Sequence, residues 1–342
     1  MTGLINYHQF SLSETPGLHG KYAVITGGTR GIGEEMTAQL LLHKIDKVFV
    51  LGRSRSSYDT ACQVWLADRR IDLQDSESRS EFVECDLMDI LSVKKTADYL
   101  KRQMTRLDIL INNAGLATVP QYELSPQGIE NIFATNHIGH FTLTLLLLPL
   151  LAVTADTHET DVRIVNTSSS FHMGCQSIDF ASLTSPARTK YPASFDSMYR
   201  YARSKLANIL FTRQLSQLLL ANGQTSVYVN CFFPGNIPTE AMDEWKNLFG
   251  SLVGALVKGT FKVIGQTKTQ AAATAIYLAT SPRVVEGKGQ RGSYFIPIAK
   301  QDKTSKVAED MELARSLWAW SHERITETLG HGWDETKLAR EI

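Results

Sequence analysis

The chain alternates short apolar runs, rich in β-branched residues, with longer segments in which apolar residues recur at helical spacing. Segments of helical period include 33–43, 91–104, 128–148 and 197–220. The apolar runs lie at 22–26, 47–51, 81–85, 107–111, 162–167 and 226–232, with a weaker seventh near 293. Such alternation is typical of βαβ units, in which parallel strands are covered by helices. The pattern therefore predicts an α/β fold with a doubly wound parallel sheet of about seven strands.

The 342 residues are 43% hydrophobic, which is enough for one well-buried core. We expect a single domain over 1–342, with its core at about 20–300 and a helical extension at 300–342. Two long connections, 171–196 and 236–265, follow the fifth and sixth strands. Because open α/β sheets bind ligands at the carboxyl ends of their strands, both connections are predicted to form walls of a substrate site.

The charge balance argues against several classes of partner. Basic and acidic residues number 35 each, so the formal net charge is zero. A chain without excess charge has no field to attract nucleic acid or an anionic membrane surface. The cysteines have neither C-x-x-C spacing nor histidine partners, so we expect reduced thiols, a cytoplasmic location and no metal site; they are Cys62, Cys85, Cys175 and Cys231.

Two apolar stretches raise the question of a membrane span, and we expect neither to cross a bilayer. Residues 141–153 are too few and contain Pro149, and 248–265 is interrupted by Lys258 and Lys262. The N-terminus lacks a basic region followed by an apolar run, so a secretory signal is not expected. The second stretch would either lie on a membrane or line an apolar pocket, and we favour the pocket.

The first predicted strand is followed by the glycine-rich sequence TGGTRGIG, residues 26–33, and a helix is predicted to begin at about Gly31. Glycines at this point allow a sharp turn and a close approach to a pyrophosphate, which free N–H groups at the helix N-terminus would bind. A glycine pattern alone is weak, but here it stands between a predicted strand and a predicted helix. The position therefore favours a dinucleotide site over a tight turn without a ligand.

The second strand ends in the sequence VLGRSRS, which has no acidic residue to accept hydrogen bonds from ribose hydroxyls. Arg53 follows this strand, and Arg30 adds a cation from the glycine loop. Charge-assisted hydrogen bonds from arginine to phosphate are worth about 1.5–3 kcal/mol each. Two such contacts would favour NADP over NAD by about a hundredfold or more. We therefore predict NADP(H), with Arg55 the arginine most easily explained as a solvated loop residue.

Tyr201 precedes Lys205 by four residues in a predicted helix, so their side chains share one face. A phenol is a poor proton donor or acceptor at neutral pH, but a neighbouring ammonium would lower its pKa towards the working range. The same lysine would reach the nicotinamide ribose. A Y-x-x-x-K pair is common on helix surfaces, so the hypothesis depends on the other motifs of the chain.

The motifs and their order resemble those of the short-chain dehydrogenase/reductase family, which has a Rossmann fold. They are T-G-x-x-x-G-x-G, Asp86-Leu87, the sequence NNAG, a serine after the fifth strand, Y-x-x-x-K and the sequence PGNIPT. The resemblance implies that Asn136, Ser169, Tyr201 and Lys205 are catalytic, with Ser169 bonded to the substrate oxygen and Asn136 anchoring a water. Ser168 and Ser170 are rivals of Ser169, and Ser170 is the stronger one.

The same resemblance assigns the cofactor-binding residues. Asp86 and Leu87 would contact adenine, and the PGNIPT segment would hold the nicotinamide carboxamide. The full set is Gly27, Thr29, Arg30, Gly31, Ile32, Gly33, Arg53, Asp86, Leu87, Asn113, Ala114, Gly115, Tyr201, Lys205, Pro234, Gly235, Ile237 and Thr239. The family pattern gives His137 and His140 no proton step, so we interpret them as hydrogen-bonded helix histidines.

The connection between Ser169 and Tyr201 contains an insert that resembles the retinol dehydrogenase and WW-domain-oxidoreductase-like branch of the family. That branch also includes reductases of plant and fungal small-molecule pathways, so a retinoid substrate does not follow. The apolar character of 236–265, which includes Trp245, suggests a hydrophobic ketone or aldehyde or, alternatively, packing against a second subunit.

The resulting prediction is an NADPH-dependent carbonyl reductase of small-molecule, secondary-metabolite type. Two other functions stay open at this point. One is a nucleotide-sensing protein without turnover, and the other is an enzyme that reduces an imine or prepares a cyclisation. The resemblance implies a homodimer or homotetramer, although the C-terminal extension could block the usual tetramer contact. Trp318 and Trp320 in that extension are predicted to be core or subunit-contact residues.

Overall fold

The computed structural model describes residues 9–67, 71, 78–185, 193–236, 265–286 and 289–333. Its described strands form one eight-stranded sheet in the order β3-β2-β1-β4-β5-β6-β7-β8. The strands are β1 Tyr22–Thr26, β2 Lys47–Gly52, β3 Ser80–Glu84, β4 Ile109–Asn112, β5 Val162–Thr167, β6 Val227–Phe232, β7 Tyr294–Ile296 and β8 Lys300–Asp302. The neighbouring pairs from β3 to β7 are parallel, which confirms the predicted α/β fold.

The eighth strand is the difference from the predicted sheet. β8 pairs antiparallel with β7 and lies in the segment that the sequence analysis placed in a helical extension. Its three residues, Lys300–Asp302, are polar and partly exposed, as expected for an edge strand. No apolar run marks it, so the hydrophobic pattern could not reveal it.

The helices cover both faces of the sheet. They are α1 Gly31–Leu42, α2 Arg55–Ala67, α3 Ile90–Gln103, α4 Asn131–Thr157, α5 Ala193–Ala221, α6 Lys268–Thr280 and α7 Met311–Leu329. Adjacent strand residues point to opposite faces. In β1, Val24 packs with the cluster that includes α3, α4, α5 and α7, whereas Ile25 packs with the cluster that includes α1, α2 and α6. The central strands are therefore buried on both faces, which explains their continuous apolar runs.

Helix α4 is longer than the sequence analysis predicted. It runs over 27 residues, and the mean hydropathy of its most apolar 18-residue window is 1.9. By length and composition the helix could therefore cross a membrane. The expectation that this stretch is too short was therefore wrong, and Pro149 lies inside the helix instead of ending it. However, 78% of the apolar window is buried within the protein, as in the core helix of a folded domain.

The C-terminal helix α7 packs on α4 and α5. The Trp318 side chain is only 2% exposed, and its ring lies 4.9 Å from that of Phe141 and 6.0 Å from that of Phe211 between centroids. Trp320 is partly buried and contacts Phe133 at 6.0 Å. The interpretation of Trp318 as a core residue is confirmed. The extension is thus an integral layer of the domain on the α4–α5 side.

A buried carboxylate connects the start of α4 with α5. Glu130 is fully buried and accepts hydrogen bonds from the N–H groups of Ile132 and Phe133, both at 3.0 Å, so it caps α4. The same carboxylate pairs with Arg200 at 2.8 Å and lies 3.7 Å from Arg203. Glu130 is thus in contact with two arginines of α5.

The two arginines also bond to neighbouring segments. Arg200 pairs with Asp196 at 2.7 Å, one turn earlier in α5, and Arg203 donates to the Ser182 hydroxyl at 2.5 Å. Because Arg200 and Arg203 flank Tyr201 in the sequence, these contacts fix the part of α5 that carries the tyrosine. The sequence analysis missed this network, although the spacing of Asp196 and Arg200 was a signal for a helical ion pair.

We expect Glu130→Gln to lower the free energy of unfolding by about 3–5 kcal/mol, because it leaves two buried guanidinium groups without their carboxylate. Chemical denaturation would measure the change. The control is Asp59→Asn, which removes a solvent-exposed pair with Arg55 and should have a much smaller effect on stability. Equal, small effects of both changes would contradict a structural role for the buried pair.

Candidate active site

A cavity of about 570 Å³ opens at the carboxyl ends of β1 and β4, where the strand order reverses. Ligands of doubly wound sheets bind at this switch point. The cavity is lined by eleven of the predicted cofactor residues, namely Gly27, Thr29, Arg30, Ile32, Gly33, Arg53, Asp86, Leu87, Asn113, Ala114 and Gly115. Gly31 lies in the same loop between two lining residues. The volume is within the range of cofactor sites.

The glycine loop has the conformation that a phosphate site requires. Gly27 and Gly31 have φ values of 64° and 62°, which only glycine adopts readily. A Cβ at Gly33 would lie 2.1 Å from the Gly27 carbonyl oxygen, so this residue must also be glycine. Arg30 makes no side-chain cap at the N-terminus of α1, which leaves the first N–H groups of the helix available to a ligand. These features fit a dinucleotide pyrophosphate.

Thr26 and Asn113 hold the floor of the cavity together. The Thr26 hydroxyl accepts hydrogen bonds from the N–H groups of Asn113 at 2.9 Å and Ala114 at 3.0 Å. The Asn113 side chain donates to the Thr26 carbonyl at 3.1 Å. The NNAG segment after β4 is thereby fastened to the glycine loop after β1. The structure therefore gives Asn113 a role in shaping the loop from within the cavity wall.

The two predicted phosphate-binding arginines line the same cavity. Arg30 comes from the glycine loop and Arg53 from the end of β2, and Ser54 and Ser57 stand beside Arg53 in the lining. Arg55 differs, since its side chain is 68% exposed and pairs with Asp59 at 2.9 Å. The interpretation of Arg55 as a surface residue is confirmed.

The structure brings Ser169 and Tyr201 together. Ser169 follows β5 and is buried, and its hydroxyl lies close enough to the Tyr201 phenol to lower the pKa of that phenol. Ser168, one rival, instead donates to the backbone carbonyl of Lys205 at 2.8 Å. Ser170, the stronger rival, begins a 3₁₀ turn for which Ser169 is the N-cap. Of the three serines, Ser169 is thus the one that affects the phenol, and its hydrogen bond to a substrate oxygen stays a prediction.

Lys205 lies beside this pair but does not lower the pKa of the tyrosine. Its Nζ donates to the Thr167 carbonyl at 3.2 Å and lies 5.6 Å from the Tyr201 ring centroid. Burial raises the pKa of Tyr201, and the hydrogen bond from Ser169 lowers it only in part. Burial also lowers the pKa of Lys205 to about 8. The expected lowering of the phenol pKa by the ammonium was therefore wrong for the protein alone.

Asn136 lies in a π-helical turn, Ala134–Ile138, within α4. Its side-chain oxygen accepts the N–H of Leu116 at 2.7 Å, and its side-chain nitrogen donates to the Leu116 carbonyl at 2.9 Å and to the Ser204 hydroxyl at 2.9 Å. The side chain thus anchors the loop after β4 to α5. This loop contains Gly115, where a Cβ would lie 3.0 Å from the Asn136 side-chain oxygen and 3.5 Å from Lys205 Nζ. The dinucleotide cavity therefore ends next to Lys205.

Both histidines of α4 are buried and hydrogen-bonded. His140 Nε2 lies 2.8 Å from the Thr26 hydroxyl, and its Nδ1 donates to the Asn136 carbonyl at 3.1 Å. His137 Nε2 lies 3.0 Å from the Ser321 hydroxyl of α7. Burial lowers the pKa of His140 to about 4 and that of His137 to about 3. These contacts agree with the interpretation of hydrogen-bonded helix histidines.

The nicotinamide end of the predicted site is described only in part. Pro234 and Gly235 follow β6, and Gly235 has a φ of 99° with Gln266 packed against it. Ile237 and Thr239 lie outside the described residues, as does 237–264, most of the predicted apolar wall. The other predicted wall, 171–196, begins with 3₁₀ turns at Ser170–Gly174 and Phe180–Leu183.

The sequence analysis missed several cavity residues. Neutral residues in the lining carry little signal in a single sequence, although Thr26 stood inside the quoted glycine motif. The missed residues are Thr26, Leu51, Gly52, Ser54, Ser57, Cys85, Leu116 and Thr135. All four cysteines are free thiols. Among the residues that the structure describes, no cluster of three or more histidine, cysteine or acidic side chains could hold a metal ion.

Comparison with known proteins identifies the family. The model of the short chain dehydrogenase family matches residues 21–177. Human retinol dehydrogenase 14 is 35% identical over 320 residues, which cover 89% of this chain and 86% of the human protein. This chain is a short-chain dehydrogenase. A short-chain dehydrogenase/reductase of Armillaria gallica is 32% identical over 314 residues, covering 91% of this chain and 92% of the fungal one.

A solved structure has a similar fold. A crystal structure of an uncharacterized protein from Mycobacterium paratuberculosis superposes with a TM-score of 0.67 at 26% identity, covering 93% of this chain and 97% of that one. The short-chain dehydrogenase described here is therefore an oxidoreductase of this family with a Rossmann-type fold.

Burial of Lys205 should make the stability of the protein depend on pH. Because the pKa of Lys205 falls from 10.5 to about 8 on folding, the unfolded chain binds more protons between these values, and the Lys205 contribution to stability rises with pH. We expect the stability difference between the wild type and Lys205→Met to shift by about 3 kcal/mol in favour of the wild type over this range. Chemical denaturation of the cofactor-free protein at several pH values would measure it.

Lys95→Met, at an exposed position of α3, reports the background effect of removing a lysine. A difference between wild type and Lys205→Met that stays constant with pH would show that the ammonium is not destabilised by burial.

Proposed function

We propose that this short-chain dehydrogenase reduces a hydrophobic ketone or aldehyde to an alcohol with NADPH. The observation that carries the proposal is the convergence of Ser169, Tyr201 and Lys205 beside a dinucleotide-shaped cavity. When bound, NADPH supplies the hydride. The residues of the chain must then orient the substrate oxygen, provide its proton and exclude water.

Tyr201 is suited to donate that proton. Burial raises its pKa, so the phenol stays protonated at neutral pH and can donate to the oxygen as negative charge develops there. The Ser169 hydroxyl, which lies near the phenol, can donate to the same oxygen and stabilise its charge. Lys205 adds a buried ammonium group. Because burial lowers its pKa to about 8, this group can exchange a proton with the phenol at a moderate cost in free energy. The three groups thus divide binding, stabilisation and proton supply.

The preference for NADPH is supported by the charges at the far end of the cavity. Arg30 and Arg53 both line it, and Gly52, Arg53 and Ser54 occupy the end of β2, where an NAD site places a carboxylate. A 2′-phosphate would find two guanidinium groups and two hydroxyls there. The ribose hydroxyls of NAD would find no carboxylate to accept their hydrogen bonds at the end of that strand.

An apolar substrate is supported by the wall next to the tyrosine. Phe171 is partly buried and places its ring edge-on to Tyr201, with centroids 5.7 Å apart. It follows Ser169 by two residues, so a carbonyl bonded to Ser169 would bring its substituents against this ring. The relative named retinol dehydrogenase 14 is consistent with an apolar substrate class, although retinol itself does not follow for this chain.

The proposal is tested with a panel of hydrophobic ketones and aldehydes and NADPH, followed by nicotinamide absorbance and product mass spectrometry. We expect alcohol products, and we expect Tyr201→Phe to reduce turnover by about a hundredfold or more while NADPH affinity changes by no more than a few fold. Binding of NADPH without turnover across the panel would favour a nucleotide-sensing protein. Amine or cyclised products would indicate the third function, and an active Tyr201→Phe would remove the phenol from the proton step.

A second variant tests the cofactor. Arg53→Asp replaces a cation at the end of β2 with the carboxylate that NAD sites use, so we expect the ratio of kcat/KM for NADPH over NADH to fall by about a hundredfold. Steady-state kinetics with both cofactors would measure it. Arg55→Asp is the matched control, since this arginine faces solvent and Asp59. An unchanged ratio in Arg53→Asp would mean that Arg30 or another group contacts the phosphate.

A further inference from the structure

His172 is a fully buried histidine that the catalytic residues named above do not include. It lies three residues after Ser169, in the 3₁₀ turn Ser170–Gly174. Its Nδ1 lies 2.7 Å from the Ser169 backbone carbonyl, and its Nε2 lies 3.3 Å from the backbone nitrogen of Ser305. Both ring nitrogens are therefore bonded to backbone groups of two segments far apart in the chain.

These partners define the protonation state of the ring. A carbonyl only accepts, so Nδ1 carries a proton and donates to Ser169, and a backbone N–H only donates, so Nε2 is an unprotonated acceptor for Ser305. His172 is thus the neutral Nδ1–H tautomer. A second proton on Nε2 would face the Ser305 N–H and break that bond. The Arg213 guanidinium and burial both lower the pKa of His172, which favours the same neutral form.

The segment that carries Ser305 is itself fixed to α5. Arg213 of α5 donates to the Thr304 hydroxyl at 3.0 Å and to the carbonyl of Ala308. The Tyr294 ring of β7 packs against His172, with centroids 5.1 Å apart. The imidazole is therefore held on one side by β7 and by the 304–308 segment, both outside the loop that contains Ser169.

We propose that His172 is a positioning residue for Ser169, and that it acts through the Nδ1–H group that donates to the Ser169 carbonyl. The Ser169 carbonyl accepts from both the backbone N–H of His172, at 3.2 Å, and its imidazole. The two bonds fix the peptide plane after Ser169 and so the direction of its hydroxyl towards Tyr201. A displacement of about 1 Å at a reacting group can cost about a hundredfold in rate.

The inference rests on the proposed function for its kinetic test, and two variants separate the two bonds. In His172→Asn the amide nitrogen can replace Nδ1 and keep the bond to Ser169, while the contact with Ser305 is lost. In His172→Gln the longer side chain can still accept from Ser305 but loses the Nδ1 donor. We expect turnover within about threefold of wild type for His172→Asn and a loss of at least about tenfold for His172→Gln, with substrate KM changed by no more than a few fold in each.

A second readout does not depend on turnover. The hydrogen bond from Ser169 lowers the pKa of Tyr201, so displacement of Ser169 should raise that pKa further. Ultraviolet difference titration, with the corresponding Tyr201→Phe double variants as blanks, should show this rise in His172→Gln and not in His172→Asn. If no carbonyl compound is reduced at all, the proposed function fails, and this titration still decides the inference about His172.

Arg213→Met is the matched control, because it loosens the 304–308 segment from α5 without contacting Ser169. We expect it to reduce thermal stability as much as the His172 variants while turnover and the Tyr201 titration stay near wild type. Equal turnover and equal phenol pKa in His172→Asn and His172→Gln would overturn the proposal. An Arg213→Met variant as slow as His172→Gln would also overturn it, since general loosening of the segment would then explain the effect.

Discussion

Two arginines of α5 flank Tyr201, and both lie against the single buried carboxylate of Glu130. A guanidinium group in the protein interior is costly unless it is paired and hydrogen-bonded, so a rotation of this helix that separated the arginines from Glu130 would be unfavourable. The same carboxylate caps α4, whose π-helical turn presents Asn136 to the loop after β4. Glu130 therefore connects the helix that carries the phenol with the helix that carries Asn136.

The docking of α5 also explains the unusual electrostatics of the site. Lys205 is pressed against the end of β5, where the Thr167 carbonyl is its hydrogen-bond acceptor, and burial lowers its pKa to about 8. Burial also disfavours the phenolate form of Tyr201 and so raises its pKa. In the protein alone, desolvation thus outweighs the attraction between an ammonium and a phenolate. The result is a protonated phenol next to a lysine that holds its proton only moderately, an arrangement suited to proton donation.

The C-terminal part of the chain belongs to the structure of the site and is not a separate appendage. β8 extends the sheet, α7 fills the apolar surface of α4 and α5 with Trp318, and the segment between them bonds to His172 next to Ser169. The 3₁₀ turns of the insert are held in the same way, since Arg203 bonds to Ser182 and Tyr199 donates to the Ser177 carbonyl at 3.0 Å. The loop that contains Ser169 is therefore supported from both sides.

Much of this protein could be predicted from the sequence because strands buried on both faces leave continuous apolar runs, and because the glycine loop and the Tyr201–Lys205 spacing are local patterns. These determined the α/β fold, the position of the dinucleotide cavity and the four candidate catalytic residues. The polar strand β8 and the contacts of Glu130 with α5 left no such local pattern. Helix α4 continues to Thr157, beyond the predicted helical segment 128–148. Only the tertiary structure decided the pKa of Tyr201 and the partners of Asn136 and His172, because burial and long-range hydrogen bonds depend on segments that are far apart in the chain.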